Sequence, residues 1–264
     1  MPTVPYWHVD AFADRPFTGN QAAVMILDAW PEDAVLQAIG AENMFAETAF
    51  LVRDASGEAD WELRWFTPAC EIRLCGHATL ASGHVLLALE PDCGEVSFRT
   101  RQAGTLFVRR VGEGYEVGLP LIPTEAGSYP EAVALFGAAP LETRHSPHRY
   151  HILVYPDEAA IRALDPDFRA LAALGDDQYI ATAPGTATDV VSRVFVPGGG
   201  IDEDPVTGSA HAVLTAFWTA RLGRDRFTAY QASARGGYLA CRMEGETAWL
   251  AGDCVTVVEG KFTF

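Results

Sequence analysis

Hydrophobic and polar residues alternate along this chain in short runs, interrupted by two long stretches with no charge at all. Residues 6–12, of mixed polar and apolar positions, and the short apolar run 21–27 predict strands, with a loop between them. Residues 30–43 repeat at helical spacing. Pro31 stands near the first turn and Ala34, Val35, Ala38 and Ile39 share one face. Strands are predicted at 47–52 and 61–67 around the polar turn 54–60, and again at 95–100, 104–111 and 115–120. Beyond residue 130 the order recurs in outline. Helices are expected at 130–137, 157–164 and 166–174, and strands at 150–156, 179–184, 190–197, 226–233, 237–243 and 248–260.

The two uncharged stretches are Leu74–Leu89 and Val206–Ala220. Both read as helices, and a helix without a polar face is buried on all sides. Strand signals flank each one. The expected solution is a curved, mostly antiparallel sheet wrapped around one central helix, made twice. The helix starts also look alike, "CGHATLASGHVL" beside "TGSAHAVLTAFW". The segment "LPLIPTEAGSYP" has three prolines and no period, and marks the boundary. The expected halves are 1–117, with its central helix near 75–89, and 118–264, with its central helix near 208–222. The last strand is able to return to the first half.

Small residues at the start of a buried helix have a second meaning. The first N–H groups lack intrahelical partners, and glycine lets a ligand approach them. Two such starts across a cleft would hold a carboxylate without lysine or arginine. That suits a chain of 264 residues with net charge −16, which repels phosphate backbones and anionic lipid. Neither nucleic acid nor a membrane is an expected partner. No uncharged run reaches the ~18 residues of a membrane span. Five cysteines without a CxxC pair point to reduced thiols, and "MPTVPYWHVDAF" has no leader pattern, so a cytoplasmic protein is expected.

Candidate chemistry clusters at the helix starts. Cys70-x4-Cys75-x-His77 is not a usual zinc spacing, so no metal is expected. Cys75 is either a packed thiol or a thiolate favoured by the helix start. His77 is placed to reach into a cleft. Glu47 precedes an apolar strand, where a plain strand-entry role competes with a base. Asp202, Glu203 and Asp204 precede Pro205 and the second uncharged helix; acid bias at a helix N-terminus explains one or two of them. Gly198–Gly200 lacks the context of a nucleotide cradle. Asn20 is a turn residue by default and a donor to a ligand otherwise.

Taken together, "FTGNQAAV" (17–24), "NMFAETAF" (43–50), "RWFTPACEIRLCGHATLA" (64–81), "SRVFVP" (192–197), "DEDPVTGSAH" (202–211) and "QASARGG" (231–237) resemble the PhzF family. These are phenazine biosynthesis-like isomerases related to diaminopimelate epimerase. The matching segments run in order over nearly the whole chain. The resemblance implies an α/β fold of two similar halves and acid/base isomerisation of a small carboxylate-bearing molecule, with no cofactor, in a homodimer. By position, the family's catalytic glutamate falls on Glu47, its Gly-His pair on Gly76 and His77, its aspartate on Asp204, and its Gly-Ser on Gly208 and Ser209. Asn20 joins the substrate-binding set.

There are two departures. The related racemases use one cysteine per half; Cys75 stands near the first position, but around Asp204–Pro205 there is none. Arg73 stands where many members carry an acid. Two alternatives remain open at this point: an epimerase using Cys75 with a partner that is not cysteine, and a family member that binds a metabolite or protein without turnover.

Overall fold

A computed structural model describes all 264 residues. The chain divides into two compact units, Met1–Leu119 with Trp249–Phe264, and Pro120–Ala248. The first carries β1 (Thr3–Ala11), β2 (Asn20–Ile26), α1 (Asp33–Asn43), β3 (Glu47–Arg53), β4 (Trp61–Phe66), β5 (Glu71–Ile72), α2 (Gly76–Leu89), β6 (Glu95–Thr100), β7 (Thr105–Val111) and β8 (Gly114–Pro120). The second carries β9 (Glu125–Ala126), α3 (Pro130–Ala134), β10 (Glu142–His145), β11 (Tyr150–Val154), α4 (Glu158–Arg162), α5 (Phe168–Leu174), β12 (Gln178–Pro184), β13 (Val190–Val196), β14 (Ile201–Asp204), α6 (Gly208–Leu222), β15 (Arg226–Gln231) and β16 (Gly237–Glu244). The chain ends in β17 (Thr247–Gly252) and β18 (Cys254–Thr263). The single strand expected over 248–260 is thus two strands separated at Asp253.

The two units repeat one topology. In the first, β1 and β2 run antiparallel, β2 and β3 parallel, β3 and β4 antiparallel, β4 and β6 parallel, and β6 and β7 antiparallel. In the second, the same senses link β10, β11, β12, β13, β15 and β16 in turn. Each parallel pair is spanned by helix, as a parallel crossover requires. β18 adds to β1 in the first unit.

The pairing registers turn this likeness into residue equivalences. Ala49 pairs with Trp65, and Trp65 with Ile72. Ile180 pairs with Val194, and Val194 with Asp204. Leu63 pairs with Thr100, and Ser192 with Gln231. Asp204 therefore stands where the first half has Ile72, Thr207 where it has Cys75, Ser209 where it has His77, and Gln231 where it has Thr100. Counting back along β3 and β12, Gln178 stands where Glu47 does. The second-half counterpart of Cys75 is thus Thr207, not the Asp204–Pro205 neighbourhood that sequence alone suggested.

Both uncharged stretches are the central helices. Every residue of α2 from Gly76 to Leu87 except His84 is buried, as are Gly208–Thr215, Trp218 and Thr219 of α6. The face of α1 differs from expectation. Ala34 and Ala38 are exposed, and Leu36, Ile39 and Gly40 are buried. The large Leu36 fills a cluster with Met25, Phe50 and Phe66, while Gly40 lets the helix approach Phe66, where a Cβ would lie 3.1 Å from its Cβ. Burial of one leucine outweighs that of two alanines.

One part-buried and one fully buried histidine give the fold a pH dependence. Burial, helped by the Arg110 charge, pushes His84 down from 6.5 to about 4, and burial pushes His211 down to about 4. Both are lower in the fold than in the unfolded chain, so the unfolded chain takes up protons first as pH falls. Their contribution is full above about pH 6.5 and is lost toward pH 4, by at most about 3 kcal/mol apiece. The melting temperature is expected to fall across this window in stepped-pH calorimetry, and more gently in a His84→Asn variant. Parallel pH profiles for the two proteins would exclude His84 as a contributor.

Candidate active site

In the first half the chain brings Asn20, Glu47, Cys75 and His77 together. Asn20 is the first residue of β2, and Gly19 before it turns the chain at φ +65°. Only glycine fits there, because a Cβ would lie 2.2 Å from the Ala11 carbonyl oxygen. Glu47 is the first residue of β3, paired with Ala22, and follows the left-handed turn at Met44 that ends α1. Cys75 is the extended N-cap of α2, and Gly76 and His77 are its first two helical residues.

The imidazole of His77 links this group. Its Nε2 lies 3.1 Å from Glu47 Oε2. Its Nδ1 lies 3.1 Å from Asn20 Nδ2 and 3.5 Å from Cys75 Sγ. An amide nitrogen only donates, so Nδ1 accepts and the ring proton sits on Nε2, the nitrogen 3.1 Å from the carboxylate. This fixes the tautomer assigned to the ring. The Glu47 side chain keeps 16% exposure against 4% for His77, so of the pair it is the carboxylate that solvent or a ligand can reach.

Glu47, Cys75 and His77 also place one donor atom each within 4.8 Å of one another, a spacing a metal ion can use. The ring orientation opposes that use. Cys75 meets Nδ1 and Glu47 meets Nε2, so an ion on either nitrogen faces away from one of the other two donors.

In the second half Asp204 ends β14, and Gly208 and Ser209 open α6. Asp204 is 7% exposed and Ser209 9%. Two residues that sequence reading did not select complete this region. The Thr207 hydroxyl donates to Asp204 Oδ2. Gln231, fully buried at the end of β15, accepts from the Thr207 N–H at 2.8 Å and donates to the Asp204 carbonyl at 2.6 Å and to Thr207 Oγ1 at 3.2 Å. Both lie inside "DEDPVTGSAH" and "QASARGG", so the signal was present in those strings. His211 sits one turn on, its Nδ1 2.8 Å from the Thr207 carbonyl.

The two central helices also differ from the surface helices at their starts. Asp157 and Asp167 cap α4 and α5 through their side chains, whereas neither Cys75 nor Thr207 makes a side-chain cap. Gly76 and Gly208 thus begin helices whose first N–H groups are left to other acceptors. Arg73 is exposed and lines a shallow recess with Glu71, Arg101 and Gln102.

The chain matches the family model described as "Phenazine biosynthesis-like protein" over residues 9–260. Two uncharacterized isomerases of Pseudomonas aeruginosa are similar to it. One is 46% identical over 97% of this chain and 97% of that protein, the other 42% identical over 96% of each. Among solved structures, a phenazine biosynthesis protein of the PhzF family from Enterococcus faecalis is 38% identical, covers all of both chains and superposes with a TM-score of 0.89. The two-halved fold, the motifs and these likenesses agree, and the chain belongs to the phenazine biosynthesis-like, or PhzF, family of isomerase-like proteins.

Proposed function

We propose that the protein is an isomerase that moves a proton within a small carboxylate-bearing molecule by acid/base chemistry, without a cofactor. The observation that carries this reading is the Glu47–His77–Asn20 chain at the start of α2. Glu47 takes a proton from a carbon beside a carbonyl or double bond and returns it to another carbon. His77, held by Asn20, steadies the carboxylate and absorbs part of the charge change. The N–H groups at Gly76 and at Gly208–Ser209 hold a substrate carboxylate or the charge that develops on it. Asp204 is the second substrate-contacting acid. A family resemblance does not name the substrate. Small cyclic and amino carboxylic acids incubated with the protein in D2O test the reading by NMR. Deuterium uptake is expected in at least one acid and not with Glu47→Gln; uptake in none supports simple binding.

A second reading, epimerisation by Cys75, draws support from the 3.5 Å contact of its thiol with His77 Nδ1. The half repeat weighs against a paired-thiol version, because Thr207 occupies the equivalent place. Cys75→Ser separates the two readings: the Glu47 isomerase keeps its exchange rate within a few-fold, whereas a cysteine epimerase loses it.

The homodimer and the cytoplasmic setting belong to the same proposal. All five cysteines are free, in keeping with a reducing compartment. Light scattering at a mass of about twice the 28.5 kDa chain would support the dimer.

A further inference from the structure

The half repeat offers a control for asking what each buried group is for. Both halves make the same junction: a strand, a short antiparallel return strand, an extended N-cap and a buried central helix. The first half makes it with Ile72, Cys75 and Thr100. The second makes it with Asp204, Thr207 and Gln231, three polar side chains tied by hydrogen bonds. Thr100 does something else, donating to the Gly104 carbonyl in a surface turn. The fold therefore does not require the polar set, and burying it is unfavourable unless every group is paired.

We infer that Thr207 and Gln231 are positioning residues that fix the Asp204 carboxylate for its work on the substrate. The geometry is specific. Gln231 uses both ends of its amide, so its side chain cannot rotate without losing a bond. One end holds the Asp204 backbone through its carbonyl, and the other holds the Thr207 N–H. A second bond from Gln231 Nε2 falls on the Thr207 oxygen, which orients the hydroxyl proton toward Asp204 Oδ2. Backbone and side chain of the aspartate are thus held from two sides by one amide and one hydroxyl. Ala229, two residues before Gln231 on the same strand, is also buried. This arrangement gives the preorganised support that a working carboxylate needs.

The inference rests on the reading of Asp204 as a substrate-contacting group, and its test separates the two. Thr207→Val, Thr207→Ser, Gln231→Leu and Asp204→Asn are compared for melting temperature and for deuterium uptake by the acid that exchanges fastest with the unaltered protein. Thr207→Val is expected to slow exchange at saturating acid by about 10- to 100-fold, the effect of losing a hydrogen bond to a charged group, and Gln231→Leu, which loses neutral bonds that support it, by about 10-fold. Thr207→Ser, which keeps the hydroxyl, restores most of the rate, and KM changes less than kcat. Wild-type exchange in Thr207→Val with slow exchange in Asp204→Asn overturns the inference and leaves the reading standing. Wild-type exchange in Asp204→Asn overturns the reading itself. Rate losses that follow melting temperature, with no rescue by serine, assign the network to stability and also overturn the inference. Crystal structures need no substrate. Thr207→Val is expected to show the Asp204 side chain in more than one rotamer on an unchanged α6, and a single native rotamer counts against positioning.

Discussion

Glu47→Gln is expected to abolish proton exchange into substrate while leaving the fold intact. Glutamine has the shape of glutamate and keeps an oxygen for the His77 Nε2 proton 3.1 Å away. What it loses is basicity. General acid/base groups contribute about 10²- to 10⁴-fold, and a sole base stands at the upper end. Exchange should therefore fall by about 10³-fold or more, followed by NMR in D2O. The melting temperature should stay within about 3 °C of the original, because the change is isosteric and keeps an oxygen facing His77. Exchange persisting within tenfold of the original rate would remove Glu47 from the mechanism. A large drop in melting temperature would instead assign the Glu47–His77 contact to stability.

The second large effect is expected at Gly83, in the middle of α2. An ideal Cβ there would lie 2.2 Å from Val108 Cγ1 and 2.5 Å from Val108 Cβ, inside any allowed contact. Val108 is fully buried on β7 and has nowhere to move. Gly83→Ala should thus destabilise the protein by about 1–3 kcal/mol through overpacking. It does so although alanine is the better helix former by about 1 kcal/mol. The strain is local to this helix–strand contact: the equivalent position of α6 is Thr215, itself buried. Combining Gly83→Ala with Val108→Ala should recover part of the loss, giving a favourable coupling of about 1 kcal/mol or more in urea unfolding. Gly83→Ala unfolding at the original urea midpoint would refute the packing argument.

Both expectations depend on features that are legible to different degrees in the sequence. Leu74–Leu89 and Val206–Ala220 announced the central helices because the lack of charge is a local property that burial on all sides accounts for. The strands with clean alternation were legible for the same reason. β5, β9, β10 and β14 were not. β5 and β9 are two residues each, too short to show a period, and they exist only because a neighbour supplies the hydrogen bonds. The buried face of α1 was misplaced by one position along the helix, because alanines fit either face and only the sheet beneath decides.

At the site, Glu47 and His77 were named from the strings around them, 30 residues apart in sequence. Their contact at 3.1 Å is a fact of the fold, made by the parallel pairing of β2 with β3 and by the path of α2. The sequence held Gln231 within "QASARGG" but hid its contact with Asp204. Its role depends on the register of β13 with β15, which sets it against Asp204 from across the chain. By itself, then, the sequence determined the two buried helices, the repeated order of strands around them and the candidate acid/base residues. The helices and strands follow from local spacing and charge, and the acid/base residues from the likeness of the strings around them to a known family. Only the tertiary structure decided which groups meet: that His77 joins Glu47 to Asn20, that Thr207 replaces Cys75 in the second half, and that a glutamine holds Asp204. Pair distances and registers are set by contacts remote in sequence, where a shift of one residue along a strand turns a side chain to the other face.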